Sequence, residues 1–326
     1  MKFLLDNPKI DEHEMRAVYC DALISAAREN SRIVAVDADV QYSMGTKRFY
    51  DVFPERGINC GIMEAHGVGM CAGMSATGLI PFFHAFGTFA TRRVFDQIFI
   101  SCAYQKLNVK IIGGDAGVTA TANGGTHMPF EDMALMRAVP GATVIEPADT
   151  AMYETAVKLM ADTYGVFYMR SSRRKVTRIY SDSAKFTIGK ANLLEEGCDV
   201  AIVACGIMVL EALRAREMLL EKGISAAVLD MHTIKPLDEE AIVKAAQNCG
   251  AVVTAENHNA IGGLGSAVSE VLSEKYPVPL ERVAVFESFG EVGTQDYLQE
   301  RFHLTARDIA EKAEKCIRRK NENSRH

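Results

Sequence analysis

Apolar positions along the chain fall into two alternating patterns. Short, nearly continuous apolar runs at 32–36, 79–85, 109–113, 143–146 and 166–169 read as strands buried on both faces. Stretches with helical spacing fill the intervals, at 12–30, 64–77, 90–106 and 150–162. This alternation predicts a parallel sheet with helices on both faces. The segment 171–190 breaks the pattern. It opens SSRRKVTRIYSDSAK, is polar and basic without a helical period, and reads as a linker or domain seam. A second series follows, with strands at 199–205, 226–231, 251–255 and 282–287 and helices between them. The tail is helical over 309–320 and then charged. The pattern predicts an α/β chain of two doubly wound, mostly parallel-sheet domains, 1–185 and 186–326.

Composition narrows the function classes. A length of 326 residues suits two domains, and 48% hydrophobic residues are enough to give each a core. The net charge of −6 is small for this length and argues against nucleic acid or a membrane surface as the main partner. No apolar run reaches the ~18 residues of a membrane span. The amino-terminal apolar patch is interrupted at Asp6 and does not read as a signal peptide. The eight cysteines are scattered without a CxxC pair, which disfavours a disulfide framework or a zinc site and suggests a reduced cytoplasm.

Four features carry candidate chemistry. GVGMCAG at 67–73 and GGLG at 262–265 miss the dinucleotide and Walker spacings. The residues Gly67, Gly69, Ala72, Gly73 and Ala76 instead give a helix a small surface, suited either to a tight helix–helix interface or to plain packing. Glu64 opens that helix beside Ile62 and Met63. Apolar company would desolvate its carboxylate and favour sharing a proton near neutral pH; the alternative is a first-turn glutamate facing the helix dipole. The loop GGDAGVTATANGGTHMPF at 113–130 follows a strand, where α/β proteins bind ligands, and ends in His127, which is either a site residue or simply exposed. Among the crowded phenylalanines of 82–99, most belong to the core, and one at the strand–helix turn could form an aromatic platform.

Several pieces recur in one order: EAH at 64–66, HAFGTFATRRVFDQI at 84–98, GGTH at 124–127, GVFYMRSSR at 165–173, TIKPLD at 233–238 and ENHNAIGGLGSA at 256–267. In this combination the chain resembles the transketolase family over nearly its whole length. The resemblance implies a pyrimidine-binding domain over 1–185 and a transketolase C-terminal domain over 186–326. It also implies thiamine diphosphate as cofactor. The family's diphosphate-binding domain carries a G-D-G motif and an asparagine that hold a divalent metal such as Mg2+, and no G-D-G occurs here. The implied protein is the second subunit of a split transketolase. Its expected partner is an N-terminal subunit carrying the diphosphate-binding domain, in an α2β2 assembly with a self-dimer.

Residue by residue, Glu64 matches the glutamate that hydrogen-bonds N1′ of the aminopyrimidine. Phe89 matches the aromatic that stacks on that ring, and Asp39 an acid near the cofactor. His127 matches the histidine that contacts the donor's first hydroxyl. Arg16, Ser43 and Arg173 match the cluster that binds the sugar phosphate, where an arginine fork pairs with phosphate oxygens. Asp115 stands where sugar transketolases commonly have histidine, and Asn123 where they have aspartate; the turn 91–94 holds one extra residue. The implied reaction moves a two-carbon ketol unit from a ketose phosphate to an aldose acceptor. Within the same cofactor class, deoxyxylulose-phosphate-synthase-like and 2-oxo-acid dehydrogenase β-like subunits are alternatives. The alternative from another class is a non-catalytic scaffold or regulatory subunit.

Overall fold

The computed structural model describes residues 4–323. Residues 1–3 and 324–326, the start of the amino-terminal patch and the end of the charged tail, lie outside the described residues. The first half runs β1 (Leu4–Ile10), α1 (Met15–Glu29), β2 (Ile33–Asp37), α2 (Lys47–Val52), β3 (Gly57–Asn59), α3 (Glu64–Ala76), β4 (Ile80–Phe86) and α4 (Gly87–Ala90). It continues through β5 (Lys110–Gly114), α5 (Asp132–Ala138), β6 (Thr143–Ile145), α6 (Thr150–Asp162), β7 (Phe167–Ser171) and β8 (Thr177–Tyr180). The second half comprises β9 (Asn192–Glu195), β10 (Val200–Ala204), α7 (Met208–Leu220), β11 (Ala226–Asp230), β12 (Thr233–Lys235) and α8 (Glu239–Cys249). It ends with β13 (Val252–Asn259), α9 (Leu264–Lys275), β14 (Leu280–Val285), α10 (Gln295–Arg301) and α11 (Ala306–Asn323).

Two large sheets result. The first has the order β12-β6-β7-β5-β4-β2-β3 and is parallel except for β12. The second has the order β14-β13-β10-β11-β9 and is parallel except for β9. Strands β2, β5, β7, β10 and β11 are buried along their whole length, as strands covered by helices on both faces must be. The α/β class with two parallel-dominated sheets is therefore observed. The first sheet also takes its edge strand β12 from the second half of the chain, which interlocks the halves. All eight cysteines are free thiols.

Two expectations need correction. A single helix over 90–106 does not form. In its place, after α4 ends at Ala90, stand a 3-10 turn at Arg92–Val94 and a π-helix at Gln97–Tyr104. The hydroxyl of Thr91 donates to the Gly87 carbonyl at 2.7 Å, a local bond that competes with the helical ladder. Apolar spacing does not distinguish α from π turns over so short a span. The basic segment 171–190 is also more than a linker, because it contains β8, paired antiparallel with β1. The Asp149 carboxylate anchors that strand. One oxygen caps α6 through the Met152 amide at 3.0 Å, and the other accepts the amides of Ile179 and Tyr180 at 2.9 and 2.8 Å.

The seam between the halves contains a fully buried polar cluster. Arg170, on β7, gives Nε and Nη2 to the two oxygens of Asp132 at 2.8 and 3.0 Å, and Nη1 to Glu146 at 2.7 Å. The same guanidinium donates to the backbone carbonyl of Asn257 at 3.0 Å, across the seam. Burial pushes the Asp132 carboxyl up, but Arg170, His258 and the Tyr168 hydroxyl together outweigh it and hold that group below its ordinary range. Removing one partner of such a cluster leaves buried charges uncompensated. Arg170→Ala is therefore expected to cost about 3–5 kcal/mol in urea unfolding. A loss below ~1 kcal/mol, the range of an exposed pair, would show that the cluster does not hold the halves together.

Candidate active site at the carboxyl ends of the strands

Parallel α/β sheets present their ligand sites at the carboxyl ends of the strands, where loops diverge. The residues singled out from the sequence lie on those loops or beside them. Asp39 and Ser43 follow β2, Glu64 follows β3, and Phe89 follows β4. Asp115, Asn123 and His127 occupy the long connection from β5 to α5, Arg173 follows β7, and Arg16 lies in the first turn of α1.

Glu64 begins α3 and is 4% exposed, although Ile62 and Met63, the apolar neighbours expected to bury it, are themselves exposed. Its partner was not predicted. Arg93, in the 3-10 turn, donates Nη1 to Glu64 Oε1 at 2.8 Å, and the guanidinium carbon lies 4.0 Å above the centre of the Phe89 ring. His127 stands edge-on to the same ring, 5.0 Å between centres, and to Phe86 at 5.5 Å. Glu64, Arg93, Phe89 and His127 thus form one continuous group around an aromatic face. A site that holds a flat cation with a hydrogen-bonding edge, between a buried carboxylate and a ring, has the chemistry to hold an aminopyrimidine.

The other side of His127 is charged. Asp115, buried, accepts the Arg173 backbone amide at 2.8 Å and pairs with its Nε, and the Arg173 guanidinium lies 5.3 Å from the Phe86 ring centre. Burial raises the Asp115 pKa, against the lowering effect of Arg173. Arg16 pairs with Glu14 at 2.7 Å and donates to the Ser43 carbonyl at 3.2 Å, so it meets the backbone of Ser43. Its neighbour Met15 donates its amide to the Arg174 carbonyl at 3.0 Å, which places Arg16 beside the Arg173 turn. Asn123 is half-buried in the same loop as His127. Asp39 is exposed, with a left-handed backbone (φ 59°), and accepts from the Asn59 side-chain amide at 2.9 Å. It is tied to β3 and makes no bond to Glu64 or Phe89.

The second half of the chain fixes the loop that carries His127. The Asn257 side chain accepts the Val118 amide at 2.9 Å and donates to the Ala116 carbonyl at 3.0 Å. The Asn259 amide donates to Phe130 at 2.8 Å, and the Gly293 amide to Thr121 at 3.1 Å. Gly125 must be glycine for this packing, because a Cβ there would lie 2.4 Å from the Gly290 carbonyl oxygen. Phe86, Arg93 and Asn257 are the members that sequence reading missed. The pair of arginines inside HAFGTFATRRVF was the available signal for Arg93, but its direction depends on the broken helix.

The small-residue helix divides between two faces. Gly67 faces the core, where a Cβ would lie 2.6 Å from Phe83. Gly69 and Gly73 face open space, and Ile62 and Met63, which precede the helix, are 73% and 57% exposed. Among the described residues, no group of three or more His, Cys, Asp or Glu is placed to hold a metal, and no helix is long and apolar enough to cross a membrane.

Comparison with known proteins agrees over both halves. Residues 11–178 match the transketolase pyrimidine-binding domain, and residues 189–309 match the transketolase C-terminal domain. The chain is 51% identical over 313 residues to the 6-deoxy-6-sulfo-D-fructose transketolase subunit SqwH of Clostridium sp. (strain MSTE9), covering 96% of this chain and 97% of that protein. It is 40% identical over 271 residues to an apulose-4-phosphate transketolase subunit of Phocaeicola vulgatus, covering 83% of this chain and 86% of that protein. A solved split gene transketolase, an inactive tetramer of beta chains, superposes with a TM-score of 0.87 at 44% identity, covering 94% of this chain and 99% of that one.

His127 is expected to titrate below the ordinary histidine range. Desolvation lowers its pKa, and the positive charges of Arg173 and Arg93 lower it further. Arg173→Gln removes a charge that opposes the imidazolium, so the midpoint should rise. NMR titration of His127 in both proteins checks this, and an equal or lower midpoint in the variant would contradict it.

Proposed function

The chain belongs to the transketolase family, and we propose that it is one subunit of a split, thiamine-diphosphate-dependent transketolase. In this reading residues 1–185 bind the pyrimidine end of the cofactor. A separate amino-terminal chain supplies the ligands for the diphosphate and for Mg2+ or another divalent metal. The reaction transfers a two-carbon ketol unit from a ketose to an aldose acceptor. The observation that carries the reading is the buried Glu64 carboxylate beside the Phe89 ring, already holding a flat, hydrogen-bonded cation.

Thiamine diphosphate, when bound, supplies the nucleophilic carbon that takes up the two-carbon unit. Glu64 would hold a proton at N1′ of the pyrimidine, from a buried carboxylate that accepts a cation's N–H in this structure. Phe89 offers its face to the ring, and Asp39 borders the cofactor from the end of β2. The lowered pKa of His127 keeps it neutral at physiological pH, able to hydrogen-bond the donor's first hydroxyl. Asp115 and Asn123 line the same substrate side. Arg16, Ser43 and Arg173 hold the substrate's terminal anion; Asp115 grips one edge of the Arg173 guanidinium and leaves the other edge for the ligand. That anion is a phosphate or, as the name of the Clostridium relative suggests, a sulfonate. The open face of α3, with Ile62 and Met63, is the surface proposed for subunit packing in an α2β2 assembly.

Two measurements test this. The purified chain with thiamine diphosphate, Mg2+, xylulose 5-phosphate and ribose 5-phosphate should show no transfer, and adding the amino-terminal partner should produce it. Robust turnover by the chain alone would refute the split. In the complex, Glu64→Gln should leave the circular-dichroism spectrum unchanged and lower kcat by ~100-fold or more, the scale of a lost general acid–base group. A wild-type kcat in that variant would remove Glu64 from the mechanism.

A further inference from the structure

The place that the proposed function gives to the pyrimidine is held here by the chain's own Arg93. Its guanidinium makes the two contacts assigned to the ring: a 2.8 Å hydrogen bond to Glu64 and a stacked position 4.0 Å over Phe89. A guanidinium is flat, carries N–H donors along its edge and presents a π face, as an N-protonated aminopyrimidine does. At a stacking distance of 4.0 Å no second flat group fits between it and Phe89. Arg93 and the cofactor's ring therefore exclude each other.

We propose that Arg93 is a gate at the cofactor site, occupying the pyrimidine position until the cofactor displaces it. The gate meets a physical need. Without a partner, the buried Glu64 carboxylate would be an uncompensated charge, which is costly in a low-dielectric site. Arg93 compensates it while remaining able to leave, because its side chain is 45% exposed. The backbone around it is held independently. Arg92 pairs with Glu131 at 2.9 Å, and the Thr91 hydroxyl bonds the Gly87 carbonyl. Arg93 can thus swing out while its turn stays docked. Displacing it lowers the apparent cofactor affinity by the fraction of molecules in which the gate is closed.

The inference rests on the reading of Glu64 and Phe89 as pyrimidine contacts, and the test separates the two. Calorimetric titration of thiamine diphosphate with Mg2+ into the complex of this chain and its amino-terminal partner gives Kd without turnover. Arg93→Gln, which loses both the charge and the guanidinium stack, should bind the cofactor on the order of tenfold more tightly. Arg93→Lys keeps the charge without the flat stack and should gain about threefold; it carries the test if the glutamine variant does not fold. Glu64→Gln should bind more weakly than wild type. Unchanged or weaker binding in both Arg93 variants, with weakened binding in Glu64→Gln, would overturn the gate and leave the site reading intact. Unchanged binding in Glu64→Gln would overturn the site reading and the gate with it.

Discussion

A buried arginine organises this molecule. Arg170 sits at the end of a central strand, where both sheets and the long loop between β5 and α5 meet. Its fork can satisfy Asp132, Glu146 and the Asn257 carbonyl together only if all three elements keep their positions. Lysine, a point charge on a flexible stem, would not impose that geometry. The loop that presents His127 is therefore positioned by contacts several residues away, with Asn257, Asn259 and Gly293 fastening it along its length. The first half carries the candidate residues, and the second holds the loop of Asp115, Asn123 and His127 in place.

A second constraint lies in the break after α4. A continuous helix over 90–106 would carry its arginines around a regular spiral. The 3-10 turn instead sends the neighbouring arginines to different partners, Arg92 to Glu131 and Arg93 to Glu64 and the Phe89 face. Irregular helix of this kind is common at functional sites, since it aims side chains that a regular period cannot. The charges then couple. His127 lies within the influence of both Arg93 and Arg173, whose positive charges lower its pKa together with desolvation.

The periodicity of the chain determined most of the architecture. Runs such as 109–113 and 199–205 are largely apolar throughout, and only strands covered on both faces need that, so the two α/β sheets were legible. Phe89, Asp115, Asn123, His127 and Arg173 could be placed on strand-end connections for the same reason, because the strand ends could be located; Glu64 could be placed only at a helix start, since the short strand β3 before it carries no apolar run. Strand β8 was not legible. Its pattern is short and basic, and what makes it a strand is β1 and the Asp149 carboxylate, both distant in sequence. The exchange of β12 into the first sheet was illegible on the same grounds.

The site divides in the same way. Residue type and position in the loops were properties of the sequence, since glycine, histidine and acidic residues after a strand carry their chemistry with them. Which side chains touch was decided only by the tertiary structure. Hydrogen bonds and stacking act over a few ångströms, and the partners Arg93 with Glu64, Asp115 with Arg173, and Asn257 with Val118 are separated by 29, 58 and 139 residues of chain. Local pattern sets what each segment becomes. Only the packing of the two halves around Arg170 sets what each segment meets.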